Sequence, residues 1–180
     1  MAGEAGGRRL AVPPGDRTRP TSDRAREALF GSLAALLELA GARVLDLFAG
    51  SGAVGLEAVS RGAAAALLVD SDARAAATAK DNAAALGLSA RVTVRRDRVE
   101  RALAGPPDPY DLVFADPPYA LGEDELAGVL HRLTEGWLAP DAVLVVERSS
   151  RGPGPRWPEG VQALKQRRYG EGTLWYGRFS

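Results

Sequence analysis

The tetrapeptide Asp116-Pro117-Pro118-Tyr119 follows directly on the apolar run Leu112-Val113-Phe114-Ala115. Two consecutive prolines fix φ and donate no N–H, so they cannot continue a sheet ladder and must turn the chain outward at a strand end. The turn presents one carboxylate, bare carbonyls and one ring together. A base swung out of its helix needs acceptors for the protons of its exocyclic NH2 and an aromatic face to stack on. The set suits methyl transfer to an amino group on a base. The plainer reading is a strand followed by a proline-rich turn.

An exocyclic amine is a weak nucleophile because its lone pair is delocalised into the ring. Acceptors on both N–H bonds, here the Asp116 carboxylate and the Pro117 carbonyl, pull the nitrogen toward tetrahedral geometry and free that pair. Tyr119 then stacks on the base and keeps it extruded. Attack on a sulfonium methyl group needs alignment above all, so positioning carries most of the rate. The methylated cation sheds its proton readily, and no strong base is required.

A second constellation lies upstream. Gly50-Ser51-Gly52-Ala53-Val54-Gly55 satisfies G-x-G-x-x-G between a strand and a helix, and Asp70 ends the next strand. Alone, this reads as a dinucleotide site. Asp46 argues otherwise, because it stands near the end of the first strand, where a dinucleotide fold has an apolar core side chain. A buried carboxylate costs several kcal/mol, by order of magnitude, unless it meets a ligand, water or a cap. An aminoacyl ammonium is such a partner, so Asp46, the glycine turn and Asp70 together fit S-adenosylmethionine. Gly50 and Gly52 let the backbone approach the methionine and ribose portions, and Asp70 accepts from the ribose hydroxyls. Asp97, in Arg95-Arg96-Asp97-Arg98, reads equally as an acceptor for the adenine amine and as a solvated charge. Asp70 and Asp72 are poorly spaced for acid/base work, and Asp72 is better read as the cap of the following helix.

Positioning these groups requires alternating strands and helices. Residues 1–21, rich in Gly, Pro and Arg, read as a basic arm with a short hairpin around Arg8 to Val12. Thr21, Ser22 and Asp23 offer N-caps for a helix with the apolar stripe Leu29, Leu33, Leu36, Leu37 and Ala40, ending at Gly41. Strands are expected at Val44–Phe48, Leu67–Asp70, Val92–Val94, Tyr110–Ala115 and Ala142–Glu147. Helices are expected through Leu56 to Gly62, from Asp72 to Leu86, from Val99 to Leu103, and over Asp124–Leu133. This pattern argues for a parallel sheet covered on both faces. Val161–Tyr169 and Thr173–Phe179, separated by Gly170-Glu171-Gly172, form a hairpin at its edge and bring the strands to seven. Ligands of such sheets sit at the strands' carboxyl ends. Residues 22–180 are read as a single domain, since 180 residues bury one core and no linker or repeat appears.

Composition narrows the classes. Lys plus Arg and Asp plus Glu are 23 each, so no global field announces a polyanionic partner. The charge is uneven, however. From Arg148 onward there are seven basic residues (Arg148, Arg151, Arg156, Lys165, Arg167, Arg168, Arg178) against Glu159 and Glu171, and the N-terminal stretch is also Arg-rich. With no cysteine, disulfides and thiolate zinc sites are excluded. The one histidine, His131, falls on a helix surface, and no metal is expected. The apolar run Ala63 to Val69 is far short of a membrane span. No apolar signal core opens the chain, so a cytoplasmic location is expected.

Three blocks together resemble the RsmD-type methyltransferases, which modify the N2 amine of one guanine in 16S ribosomal RNA. They are Arg19-Pro20-Thr21-Ser22-Asp23-Arg24-Ala25-Arg26-Glu27-Ala28-Leu29-Phe30, the stretch Leu45 to Ala58, and Asp116 to Tyr119. The first block is the most specific, because the others recur across many adenosylmethionine enzymes. The likeness runs from about Gly6 to the C-terminus. It implies a Rossmann-like class I methyltransferase fold and S-adenosylmethionine as cofactor. The partner it implies is ribosomal RNA or the small ribosomal subunit, met by a monomer. It puts Asp46, Gly50, Gly52, Asp70 and Asp97 on cofactor positions, together with their neighbours Phe48, Ala49, Ser51, Ser71 and Arg98. Asp116, Pro117, Pro118 and Tyr119 fall on the catalytic loop. The expected RNA contacts are Arg8, Arg9, Arg19, Thr21 and Arg24. Two departures stand out. The family usually opens with a short apolar strand ahead of the point where this sequence starts, and Asp70 stands where it often has Glu.

Other classes stay open. A DNA adenine-N6 methyltransferase shares the loop but normally adds a segment that reads base edges. A glutamine-N5 methyltransferase prefers Asn at the position of Asp116. A dinucleotide oxidoreductase keeps its claim through the glycines, and a non-catalytic RNA-binding scaffold would make the Asp116 loop dispensable.

Overall fold

A computed structural model describes residues 2–6 and 23–180. Beyond residues 2–6, the arm with its hairpin and the caps Thr21 and Ser22 lie outside the described residues, as do Arg8, Arg9 and Arg19.

Seven strands form one sheet: β1 (Arg43–Leu47), β2 (Ala65–Asp70), β3 (Val92–Arg96), β4 (Tyr110–Ala115), β5 (Leu138–Ser149), β6 (Val161–Tyr169) and β7 (Gly172–Phe179). Their spatial order is β3-β2-β1-β4-β5-β7-β6. The first five are parallel, and β7 inserts antiparallel between β5 and the edge strand β6. The helices are α1 (Asp23–Ala34), α2 (Ala53–Ser60), α3 (Ala73–Ala85), α4 (Val99–Ala104) and α5 (Glu123–Leu133). They divide between the two faces because side chains alternate along each strand. Val44, Leu112, Phe114, Val143 and Val145 pack with Leu29, Phe30 and Leu33 of α1, Leu56 of α2 and Ala79 of α3. Leu45, Leu47, Val113, Leu144 and Val146 pack with Leu103 of α4 and with Leu126, Leu130 and Leu133 of α5. Near-continuous apolar strands are what a sheet buried on both faces requires.

The expected helix from Ser22 to Gly41 stops at Ala34. The N–H groups of Leu36 and Leu37 both turn back to the Leu33 carbonyl, and the Arg178 guanidinium takes the Leu36 carbonyl at 2.7 Å. Leu36, Leu37 and Leu39 stay packed on the core, so the apolar spacing recorded burial of a turn. β5 begins at Leu138, earlier than expected. Asp141 has φ of 64°, and the register against β4 shifts there, so the strand passes through a bulge that its Pro140-Asp141 pair had disguised as a loop.

α1 is fastened to α2 by charge. Glu57, only 2% exposed, accepts from Arg26 Nε at 2.9 Å and from Arg61 Nε at 2.8 Å. The Arg61 guanidinium lies 4.8 Å from the Phe30 ring centroid.

Candidate active site

The parallel registers align four strand ends. Leu47 of β1 pairs with Val69 of β2 and with Ala115 of β4, while Asp70 pairs with Arg96 of β3. Asp97, Asp70, the turn after β1 and Asp116 therefore stand side by side along the carboxyl edge, spanning roughly 14 Å at one strand spacing per step.

The turn after β1 is stiffly built. Phe48, Gly50 and Gly52 all have positive φ (58°, 58° and 83°), and Phe48 is a bulky residue that rarely adopts it. Held strain of this kind collects at ligand sites. Neighbours supply the hold: Ala49 N–H donates to the Val69 carbonyl at 3.0 Å, Gly52 N–H to the Ala49 carbonyl at 2.9 Å, and Asn82 Nδ2 to the Ser51 carbonyl at 3.0 Å. A side chain at Gly52 would strike Leu68, and one at Gly55 would come 2.2 Å from Leu68 Cδ2. A Cβ at Gly50 would meet nothing within 4 Å, so the turn opens there onto space a ligand can use.

Asp46 is 2% exposed beneath the turn, where its Oδ2 accepts from Gly55 N–H at 3.0 Å. Gly52 precedes α2 and has no side chain to cap it, so this β1 carboxylate serves an orphan donor of the first turn from outside the helix. Of the partners open to Asp46, the cap is present. Burial still dominates and, with a smaller push from Asp70, raises its pKa from 3.8 to about 8 against the pull of the Gly55 bond.

Asp70 Oδ2 accepts from Gly50 N–H at 2.8 Å and Oδ1 from Asp72 N–H at 2.9 Å. Each carboxylate oxygen can accept a second hydrogen bond. Asp72 caps α3 through Ala75 N–H at 2.9 Å, as expected. Ser71 is exposed between them. Asp97 donates its N–H to the Asp70 carbonyl, and its carboxylate accepts from Arg98 N–H at 2.9 Å and Arg95 Nη2 at 3.1 Å. Arg98 itself is exposed.

At the end of β4, Asp116 N–H donates to the Leu47 carbonyl at 3.4 Å, which ties the Asp116–Tyr119 loop to the β1 end. Pro117 is buried, Pro118 exposed, and Tyr119, at 45%, is the only exposed large hydrophobic residue among those described. One residue of the loop's support is hidden from sequence reasoning. Arg148, at the end of β5, donates from Nη1 to the Pro118 carbonyl (3.4 Å) and from Nη2 to the Leu121 carbonyl (2.9 Å). The basic C-terminal run announced a charge there, but only the β4–β5 pairing reveals its target. Arg24, the one described member of the expected RNA contacts, is exposed in the first turn of α1. Among the described residues no cluster of three or more His, Cys, Asp or Glu could hold a metal ion, and no helix is long and apolar enough to cross a membrane.

Comparison with known proteins joins this geometry to a family. The family model described as Conserved hypothetical protein 95 matches residues 1–178. Ribosomal RNA small subunit methyltransferase D of Escherichia coli (strain K12) is 38% identical over 159 residues, 88% of this chain and 78% of that protein. The chain belongs to the RsmD-type family of adenosylmethionine-dependent ribosomal RNA methyltransferases. A Bacillus subtilis (strain 168) family member, YlbH, is 34% identical over 94% of this chain and 92% of its own. The solved structure of Escherichia coli yhhF superposes with a TM-score of 0.88 at 34% identity, covering 100% of this chain and 96% of that one. The strand order and the antiparallel hairpin at the edge are those of the class I methyltransferase fold. With family and fold in place, adenosylmethionine is the cofactor and the dinucleotide reading of the Gly50–Gly55 fingerprint falls away.

Proposed function

We propose that this protein methylates the exocyclic N2 amine of a guanine in small-subunit ribosomal RNA. The observation that carries the reading is the Asp116–Tyr119 loop, bonded to the end of β1 beside the glycine turn, with its one ring facing solvent.

The residues at the strand ends fit the cofactor: Gly50 opens onto free space at a positive φ, and Asp70 keeps acceptor capacity beside it. Asp70 and Ser71 would take the ribose side, Asp97 and Arg98 the adenine side, and Phe48 to Gly52, backed by Asp46, the methionine side. When bound, S-adenosylmethionine supplies an electrophilic methyl group. The chain's own work is positional. The Asp116 carboxylate and the Pro117 carbonyl accept the two N–H bonds of the guanine amine and direct its lone pair outward. Tyr119 stacks on the extruded base. Arg148 holds the loop's far side by its carbonyls, so these acceptors are set before the base arrives. Arg8, Arg9, Arg19, Thr21 and Arg24 contact the RNA, residues 1–21 act as an arm on a single domain formed by residues 22–180, and the protein works as a cytoplasmic monomer.

The test is direct. Small subunits lacking the modification, incubated with enzyme and methyl-labelled cofactor, should gain N2-methylguanine at one position. Asp116→Ala should abolish the gain while adenosylhomocysteine still binds. Label appearing in DNA, in protein or at adenine N6 would refute the assignment.

A further inference from the structure

Along the carboxyl edge the strand order separates tasks. The ends of β3, β2 and β1 carry the cofactor groups, β4 carries the catalytic loop, and β5, β7 and β6 continue past it. With a cofactor on one side, the other side is open to a substrate strand that leaves the loop.

That other side is basic in a particular way. The structure sorts the seven C-terminal cations. Arg148 is spent on the loop carbonyls, Arg156 on Asp124, and Arg178 on the carbonyls of Asp141 and Leu36, while Lys165 lies over the Tyr176 ring. Arg151 and Arg167 remain, and with them Arg168, whose Nε donates to the Gly170 carbonyl at 3.2 Å. All three are exposed, and among the described residues none forms an ion pair, whereas Arg95, Arg98 and Arg101 around Asp97 all do. Their position follows from register. Arg148, Thr173 and Arg168 form one cross-strand row, and Glu147, Leu174 and Arg167 form the next on the opposite face, so the two arginines flank the end of the edge strand from its two sides. Two strand spacings, about 10 Å, thus separate Arg168 from the residue that grips the catalytic loop. Ser150 N–H donates to the Glu171 carbonyl at 2.8 Å, bringing Arg151 to the same corner. Charges on an edge strand also deter strand addition. That role would spread them along β6, yet Val161 to Leu164 are uncharged and the cations begin at Lys165, in the half nearest the loop. Glu171, in the turn between β6 and β7, is exposed.

We infer that Arg151, Arg167 and Arg168, set around this corner of the edge strand, form a second RNA-contact region, beyond the N-terminal arginines, which takes backbone phosphates of the strand flanking the target base. This rests on the ribosomal RNA reading above. Exposed guanidinium groups with no acidic partner among the described residues suit phosphate, which they can engage with two parallel hydrogen bonds.

The triple variant Arg151→Gln/Arg167→Gln/Arg168→Gln tests it against Arg132→Gln, an exposed cation at the C-terminal end of α5. Binding to unmethylated small subunits is followed across a salt series, alongside methylation kinetics and adenosylhomocysteine affinity. Losing three phosphate contacts should flatten the slope of log K against log[salt] by about 2. KM for the subunit should rise at least about tenfold, with kcat and adenosylhomocysteine affinity unchanged. Arg132→Gln should match wild type. Arg151→Gln alone, in a connector outside the sheet, should give about one third of the slope change and serves if the triple variant folds poorly. An unchanged slope and KM in a folded triple variant overturns the surface and leaves the reaction assignment standing. A flattened slope in a protein that transfers no methyl group to RNA supports the surface and removes the reaction assignment.

Discussion

Replacing Asp46 by Asn should make the cofactor-free protein more stable, and more so as the pH rises. The carboxyl is 2% exposed, and its pKa is moved from 3.8 to about 8, first by burial and then by Asp70. Between those values the native state keeps a proton that the unfolded chain has released. The native state binds more protons, so the free energy of unfolding falls as pH rises from about 4 to about 8 and levels off above. At about 1.4 kcal/mol per tenfold change, the whole interval is worth at most roughly 6 kcal/mol. The effective cost of burying a carboxylate in proteins is several kcal/mol, and the penalty should fall in that range. Asn keeps an acceptor oxygen for Gly55 N–H and has no proton to lose, so it retains the cap and escapes the penalty. Urea unfolding of wild type and Asp46→Asn at pH 5, 7 and 8.5, both freed of cofactor, should show curves that lie close at pH 5. By pH 8.5 they should separate by about 2–4 kcal/mol in favour of Asn. Parallel curves across that range would refute the claim that Asp46 is held protonated by burial.

Other perturbations address other joints. Glu57→Gln should cost about 3 kcal/mol in urea unfolding, because Arg26 loses its buried carboxylate, while the pair Arg26→Met/Glu57→Met should recover most of that loss. Gly55→Ala should cost ~1–3 kcal/mol, read as a melting temperature lower by several degrees, since its Cβ would sit 2.2 Å from Leu68 Cδ2. Arg148→Met should lower kcat about tenfold, with adenosylhomocysteine affinity and melting temperature unmoved, and Arg148→Lys should restore little because one ammonium cannot reproduce the fork to two carbonyls. Equal losses in kcat and in melting temperature for Arg148→Met would make its role structural.

Much of this molecule is readable from its sequence because the signals are local. The Pro117-Pro118 pair ends β4 by removing donors, Asp72 caps α3 from the adjacent position, and the alternation of apolar runs with capped amphipathic stretches specifies a sheet covered on both faces. Even the suspicion about Asp46 is local, since a carboxylate inside an apolar strand demands an explanation. What tertiary structure alone decided is where distant partners meet. It supplied the cap that Asp46 gives to α2, the burial of Glu57 between two arginines, the early stop of α1 under Arg178 and the grip of Arg148 on the loop after β4. These depend on strand order, and the insertion of β7 between β5 and β6 is a property of packing among segments that no short window contains. The same insertion carries Arg167 and Arg168 to the carboxyl edge of the sheet, so the residue types were visible from the start and their common address was not.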